Sequence, residues 1–95
     1  MKTKKDIDYS IDSIKLSKNT ITLYGWAASQ NSDNKVFFDV TDSCWNYVKY
    51  RKDRIERKDV STLKYGNREN SLYGFVLTFP YQKNSYYTLT LYNDN

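Results

Sequence analysis

The chain has 95 residues, a formal net charge of +4 and no histidine, and its only cysteine is Cys44. These facts exclude an intrachain disulfide, the histidine-dependent triads of serine and cysteine hydrolases, and zinc sites that need several Cys or His ligands. A single domain of this length buries about two-thirds of the surface of its unfolded chain, so its core must be small.

The composition favours strands over helices. Aromatic residues make up 17% of the chain, ten residues are tyrosine, and alanine occurs only at Ala27 and Ala28. Tyrosine, threonine, valine and isoleucine suit a pleated surface, whereas serine, asparagine and aspartate suit turns. We therefore expect residues 7–95 to form one all-β domain, an immunoglobulin-like antiparallel β-sandwich of about six or seven short strands. Residues 1–6 are expected to be frayed or disordered.

The first predicted strands alternate apolar and polar residues, which is typical of a half-buried sheet. Residues 7–11 alternate in this way, and the pattern resumes at 14–16 after a slip of one residue at Asp12–Ser13. A bulge or bend at the slip would keep both halves on one face, because successive side chains of a strand point to opposite faces. The next strand is predicted over 21–26.

The same alternation continues after a polar turn cluster. It predicts strands at 36–40, 46–52, 75–79 and 87–91, with a short strand around Ile55. A single turn is expected at 61–65 and a loop at 66–71. Pro80 ends the strand before it, because proline has no N–H to donate to a neighbouring strand.

The segment Lys49–Lys58 is the most strongly charged, with six basic and two acidic residues. With Tyr50 and Ile55 it could bind single-stranded nucleic acid through phosphate contacts and stacking. It could equally be a solvated edge strand, since charges on edge strands prevent edge-to-edge aggregation. The acidic residues inside the run interrupt a phosphate-binding track and favour the second interpretation.

The tyrosines suggest a second kind of ligand. Tyr47, Tyr50, Tyr86 and Tyr92 point outward in the predicted strands. Sugars rest their C–H faces on aromatic rings while polar side chains bind their hydroxyls, so these four residues are candidates for a glycan-binding surface. Alternatively, tyrosines simply cover a small core, with the ring buried and the hydroxyl in water.

A separate group of residues is expected to hold a loop in place. Its members are Gly25, Trp26, Arg57, Asp59, Tyr65, Gly74 and Phe75. Arg57 and Asp59 are two residues apart, which places them on one side of an extended segment, where the guanidinium could fork to a carboxylate. The two glycines would allow close approach of neighbouring chain segments.

The order and spacing of these residues resemble a known module. Gly25-Trp26-Ala27, Arg57-Lys58-Asp59-Val60, then Tyr65, then Gly74-Phe75 is similar to a β-sandwich module attached to bacterial glycosyltransferases that build cell-surface polysaccharides, including rhamnose-rich and teichoic-type polymers. The similarity extends from about Ile14 to Leu91. It implies an accessory role beside a catalytic domain that this sequence does not contain, and it assigns no binding residues.

The sequence thus favours a non-catalytic accessory module from a polysaccharide glycosyltransferase, which positions the catalytic domain or its glycan or partner. The alternatives are a separate carbohydrate-binding module and, less favoured, a single-stranded nucleic-acid binder. We expect no cofactor and no metal site. The expected partners are the catalytic domain of a parent protein or another protein, a glycan, or a second copy in a homodimer. No apolar run is long enough to span a membrane, so we expect a cytoplasmic location, reached at the inner face of the bacterial membrane through the parent protein.

Overall fold

The computed structural model describes residues 2–3, 6–30, 35–60 and 72–93. These residues form seven strands and one helical turn. Their bounds are β1 (Lys2–Thr3), β2 (Ile7–Leu16), β3 (Thr20–Ser29), β4 (Phe37–Asp42), β5 (Arg51–Ile55), α1 (Lys58–Val60), β6 (Gly74–Pro80) and β7 (Tyr87–Tyr92). The predicted turn at 61–65, the loop at 66–71 and the candidate residue Tyr65 lie outside the described residues.

The strands form two sheets, which confirms the all-β class. The smaller sheet has the order β1-β7-β4, and the larger has the order β2-β3-β6-β5. All pairings are antiparallel except that of β1 with β7, where Lys2 is opposite Thr90. Two residues predicted to belong to a frayed terminus therefore pair with the last strand. No helix of the described residues is long and apolar enough to cross a membrane.

The core consists of inward-facing side chains from both sheets. Its fully buried members include Phe38 and Val40 of β4, Phe75 and Leu77 of β6, and Leu91 of β7. The rings of Phe38 and Phe75 meet edge to face across the two sheets, with their centroids 4.9 Å apart. Such aromatic pairs contribute roughly 0.5–1.5 kcal/mol beyond the area they bury. Alternation with period two thus positions one face of each sheet toward this core.

The slip predicted at Asp12–Ser13 is a β-bulge. The register between β2 and β3 shifts between Ile11 and Ser13, so that Ile14 pairs with Leu23 on the inner face. The extra residue keeps the apolar side chains of both halves of β2 on that face. The end of β2 extends beyond the shared core, and Ile14 and Leu16 are therefore 62% and 61% exposed.

The strand predicted at 46–52 is wrong in its position. The strand that pairs within a sheet in this region is β5. Residues 46–50 instead run along the free edge of β4. The N–H of Val48 donates to the carbonyl of Val40 at 2.8 Å, and Tyr47 forms an isolated bridge with Thr41. The cause is a tight turn: the Asp42 carboxylate accepts hydrogen bonds from backbone N–H groups in the turn, which returns the chain along its own strand.

Candidate functional site

The outer face of the smaller sheet carries most of the tyrosines predicted to bind a ligand. Register fixes which residues share it: Phe37 is opposite Tyr92, Asp39 opposite Thr90, and Thr41 opposite Thr88 and Tyr47. We call this surface the tyrosine face. Its residues are Phe37, Asp39 and Thr41 of β4, Thr88, Thr90 and Tyr92 of β7, and Tyr47, Tyr50 and Tyr86 at its margins.

Tyr47 and Tyr86 are the most exposed aromatic residues of this face. Tyr47 is 78% exposed and Tyr86 is 82% exposed. Tyr86 directly precedes β7 and lies two residues before Thr88, at the position that alternation assigns to the same face. Burial in the core therefore does not account for these two rings, which leave large apolar surfaces available to a ligand.

Tyr50 is less exposed than Tyr47 and Tyr86, and its hydroxyl is hydrogen-bonded. Its hydroxyl donates to the carbonyl of Phe38 at 2.6 Å, on the free edge of β4. Burial raises the pKa of the Tyr50 phenol, and the nearby charges of Asp39 and Tyr92 raise that pKa further. These interactions place the Tyr50 hydroxyl beside Asp39, at the margin of the tyrosine face.

Tyr92 contacts Phe37 across the strand pair. Their ring centroids are 5.5 Å apart and the ring planes are inclined by 31°. Both residues are half-buried, so the pair presents a broad, tilted aromatic surface at one end of the face. Tyr47 and Tyr86 belong to its other end, where Thr41 pairs with Thr88.

Two polar groups of the tyrosine face lack partners within the described part of the chain. The carboxylate of Asp39 forms no hydrogen bond and no ion pair there. Thr41 is only 9% exposed. Its hydroxyl is buried and has no hydrogen-bond partner among those residues. Buried polar groups are normally satisfied, and an unsatisfied hydroxyl costs roughly 1–3 kcal/mol. The face therefore combines exposed rings with unused acceptors.

The predicted loop anchor is organised around Arg57. Its Nε and Nη2 atoms donate to the two carboxylate oxygens of Asp59, each at 2.9 Å, and its Nη1 donates to Asp12 at 3.0 Å. Hydrogen bonding to Arg57 holds the pKa of Asp59 at about 2. Arg57 thus connects the turn α1 to the bulge of β2. The side chain of Arg57 is 30% exposed, so the anchor is a partly solvated one.

The other anchor residues occupy two places in the fold. Phe75 lies in the main core, whereas Trp26 belongs to a second buried cluster with Ala28, Val60 and Tyr73. Gly25 is predicted to allow close approach of a neighbouring chain segment. That segment is the backbone of β2, because a Cβ atom at position 25 would collide with the carbonyl oxygen of Ser10.

Sequence analysis did not identify Arg54, a largely buried cation that donates to several backbone carbonyls. Its Nη2 donates to the carbonyls of Ala27, Leu72 and Tyr73 at 2.6–3.1 Å, and its guanidinium lies 5.4 Å from the centroid of the Phe38 ring. Burial lowers the pKa of Arg54 to about 10, which leaves the group charged at neutral pH. Alternation along β5 was the available signal, because it places Arg54 on the inner face.

The charges of Lys49–Lys58 do not form a continuous track. Lys52 faces inward and its ammonium lies 5.0 Å from the Phe38 ring centroid. Burial lowers the pKa of Lys52, and the charge of Arg54 lowers it further. On the outer side, Arg51 lies 3.6 Å from Asp53 and Arg57 is paired with two carboxylates. Most of these cations therefore stabilise the fold or face their own counter-charges.

A shallow cleft of about 380 Å³ lies between the turn after β4 and the turn before β7, and its lining includes the exposed Cys44. Two of its polar side chains are engaged in hydrogen bonds. The carboxylate of Asp42 accepts backbone hydrogen bonds from Asn46 and Cys44. The bond from Asn46 is the main cause of the lowered pKa of Asp42. The hydroxyl of Tyr87 accepts a hydrogen bond from Gln82. The aromatic residues that line the cleft, Tyr81 and Tyr87, are half-buried, whereas Tyr47 and Tyr86 of the tyrosine face are exposed.

Within the described residues, no three His, Cys, Asp or Glu side chains come together as a group that could hold a metal ion. Comparisons with known protein families, with curated proteins and with solved structures give no match. The function must therefore be inferred from the chemistry of the chain's own residues, and the tyrosine face carries the two most exposed aromatic rings of the described residues.

Proposed function

We propose that this protein is a non-catalytic accessory β-sandwich module, immunoglobulin-like in type, that binds glycan through its tyrosine face. One observation carries the proposal. Tyr47, Tyr86 and Tyr92, which are far apart in the sequence, belong to one sheet face with Asp39, whose carboxylate has no partner among the described residues, and the Tyr50 hydroxyl lies at the margin of that face.

The chemistry of sugars matches this combination. A pyranose ring has an apolar C–H face and a rim of hydroxyls, so it binds where aromatic rings lie next to hydrogen-bonding groups. On the tyrosine face, Tyr47 and Tyr86 supply exposed rings, and Asp39 can accept hydrogen bonds from hydroxyls. Charge-assisted hydrogen bonds to a carboxylate are stronger than those between neutral groups, so Asp39 would fix the orientation of a sugar.

The accessory assignment follows from the resemblance to modules of bacterial polysaccharide glycosyltransferases. In that setting the module holds the growing glycan, or a partner, near the catalytic domain of a parent protein. A cytoplasmic position at the inner face of the membrane is the location that this role requires. The proposal gives this chain no catalytic step, no cofactor and no metal.

Nucleic-acid binding is less well supported. A phosphate track needs several unpaired cations along one surface. In Lys49–Lys58, the inward position of Lys52 and Arg54 and the pairing of Arg57 remove three of the six. The remaining charges give a weak electrostatic basis for affinity.

The proposal is tested by measuring affinity for a panel of neutral oligosaccharides of glucose, mannose, rhamnose and N-acetylglucosamine. We expect binding by the unaltered protein and a loss of at least about tenfold in the double variant Tyr47→Ala/Tyr86→Ala, since a stacked ring contributes on the order of 1 kcal/mol. Tyr24→Ala is the matched control, because Tyr24 is partly exposed on the larger sheet. Equal losses in both variants, or no binding by the unaltered protein, would contradict the proposal.

A further inference from the structure

We infer that β2 is a dimerisation edge, along which the strand pairs antiparallel with β2 of a second copy of the chain, with Ile11 opposite Ile14 of that copy. This inference goes beyond the proposed function, because it concerns an edge of the larger sheet and not the tyrosine face. Three features of β2 support it: its open edge, its exposed apolar side chains and the arrangement of its charges.

The outer strands of the two sheets differ in how their edges are protected. β1 has two residues, residues 46–50 run along β4, and β5 has four charged side chains among its five residues. Short strands, covering segments and charges are the usual means by which proteins block pairing at a sheet edge. β2 is ten residues long and ends its sheet, and among the described strands only β3 pairs with it.

Hydrogen-bond alternation identifies the open backbone groups of β2. At one end of the β2–β3 pair the carbonyl of Asp6 accepts from the N–H of Gln30, and at the other the N–H of Ser17 donates to the carbonyl of Thr20. Residues of antiparallel strands bond alternately to the strand on one side and to the strand on the other. The residues of β2 whose N–H and C=O groups point away from β3 are therefore Ile7, Tyr9, Ile11, Ile14 and Leu16.

These residues also carry an exposed apolar strip. Tyr9 pairs with Ala27 and Ile14 pairs with Leu23, so the strip continues the inner face of the larger sheet. Tyr9, Ile14 and Leu16 are nonetheless exposed. A strand added at this edge would remove apolar surface from water while it satisfied the open backbone groups.

The bulge identifies a second copy as the partner. Because of it, the inner-face residues Ile11 and Ile14 are three positions apart, whereas a regular strand returns to the same face every two residues. A regular strand that paired across the bulge would turn its side chains to the wrong face on one side of it. A second β2, with Ile11 opposite Ile14 of the copy, has its own bulge at the same point and keeps both faces matched.

This register produces a symmetric set of contacts on the inner face. Ile11 is opposite Ile14 of the second copy, Tyr9 is opposite Leu16 of the second copy, and the two-fold axis repeats each pair. All four positions have open backbone groups, so each pair can exchange two hydrogen bonds. Cross-strand pairs of large apolar side chains are the contacts that stabilise sheets.

The charges on the outer face are complementary in the same register. Lys15 lies opposite Ser10 of the second copy, and the neighbours of Ser10 along that face are Asp8 and Asp12. Long side chains reach diagonal neighbours across a strand pair, so each Lys15 ammonium is within reach of two carboxylates. Lys15 is exposed and has no ion pair or hydrogen bond within the described residues.

The other charges near this edge do not oppose the pairing. The two Asp12 carboxylates meet near the two-fold axis, but each accepts a hydrogen bond from Arg57 of its own chain at 3.0 Å. The carboxylate of Asp8 accepts a hydrogen bond from a side-chain amide, which leaves its charge in place. Lys18 lies in the turn after β2, beyond the eight paired residues, and the lysines at 4–5 lie outside the described residues.

Sedimentation equilibrium of the unaltered chain tests the inference. An edge pairing of this length is smaller than a typical stable interface, so we expect a dissociation constant in the micromolar range. Between about 5 and about 500 µM protein, the mass should rise from 11.3 kDa toward twice that value. A mass that remained at 11.3 kDa would overturn the inference and would leave the edge to a strand of another protein.

A lysine in the apolar strip should dissociate the dimer. Ile14 is exposed, so Ile14→Lys should fold normally, which thermal unfolding checks, and its dimer should be at least about tenfold weaker. Ile55→Lys is the matched control, because Ile55 is partly exposed on the edge strand β5, and it should leave the dimer unchanged. No loss in Ile14→Lys, or an equal loss in the control, would overturn the inference. Tyr47→Ala/Tyr86→Ala should dimerise like the unaltered chain, whether or not it binds glycan.

A charge reversal tests the register. Lys15→Glu places a carboxylate beside Asp8 and Asp12 of the second copy, so the dimer should weaken at least about tenfold at low ionic strength and by less at high salt. Lys18→Glu makes the same change of charge outside the paired residues and should have a smaller effect. A loss in Lys18→Glu as large as that in Lys15→Glu would overturn the inference.

Discussion

The side chain of Arg57 lies directly across Gly74. A Cβ atom at position 74 would come within 2.7 Å of Arg57 Cγ and within 2.9 Å of the carbonyl oxygen of Ile55. The missing side chain at Gly74 thus opens the path by which Arg57 reaches Asp12 and Asp59. The sequence pattern that combines Arg-x-Asp with a distant Gly-Phe has a physical basis in this contact.

The two close-approach glycines should differ in their tolerance of a methyl group. At Gly25, a Cβ atom would collide with the backbone of β2, whereas at Gly74 the closest atom belongs to a side chain. We expect Gly25→Ala to lower the free energy of unfolding by about 2 kcal/mol or more, and Gly74→Ala to lower it by less. Urea denaturation measures both. A larger loss at position 74 would mean that the anchor is more rigid than the β2–β3 contact.

Truncation of Arg54 should destabilise the fold more than truncation of Arg57. Arg54→Ala leaves the carbonyls of Ala27, Leu72 and Tyr73 without this donor, and it removes the contact with Phe38. The expected loss is about 3 kcal/mol. Arg57 forms partly exposed ion pairs, which solvent weakens, so Arg57→Ala should cost less. Chemical denaturation of both variants decides the order, and the reverse order would show that the partly exposed anchor is the main support.

The Arg57–Asp59 pair should make stability depend on pH at acidic values. The pKa of Asp59 falls from its ordinary 3.8 to about 2 in the folded state. A lowered carboxyl pKa stabilises the fold above the unfolded value, and this contribution is lost as the pH falls from about 4 to about 2. In Asp59→Asn, unfolding free energy measured over this window should decrease less steeply. Identical slopes in the two proteins would be inconsistent with the pair.

Thr41→Val should have opposite effects on stability and on binding. It replaces a buried hydroxyl that has no partner in the described residues by a methyl group of similar size, so stability should remain equal or increase by up to about 1 kcal/mol. If the hydroxyl binds a sugar, affinity should fall several-fold. Thermal unfolding and titration with the neutral oligosaccharide check both effects. Lower stability with unchanged affinity would assign Thr41 a purely structural role.

The sequence predicted the features that depend on local alternation. Period two placed Phe38, Val40 and Phe75 in the core, and the interruption at Asp12–Ser13 predicted the bulge of β2. These features are local, because each side chain of a strand changes face relative to its neighbour and burial selects one face. The positions of Tyr86 and Tyr92 on the outer side of the smaller sheet have the same origin.

Features that depend on long-range contacts were missed. The position of β5 differs from the prediction because the Asp42 turn pairs residues 46–50 with β4, and periodicity does not reveal pairing partners. The role of Arg54 was missed since its acceptors are carbonyls at Ala27, Leu72 and Tyr73. Backbone carbonyls occur at every residue, so no sequence pattern marks them. The meeting of the tyrosines on one face likewise required the pairing of β4 with β7.

The most direct test of the tyrosine face is an NMR titration of the ¹⁵N-labelled protein with the tightest-binding neutral oligosaccharide of the panel. The account predicts that the largest amide shift changes fall in Phe37–Asp42, Tyr87–Tyr92 and the residues around Tyr47, and that they vanish in Tyr47→Ala/Tyr86→Ala. Shift changes concentrated on β3 and β6, or on residues 80–85 on the far side of the cleft, would contradict it.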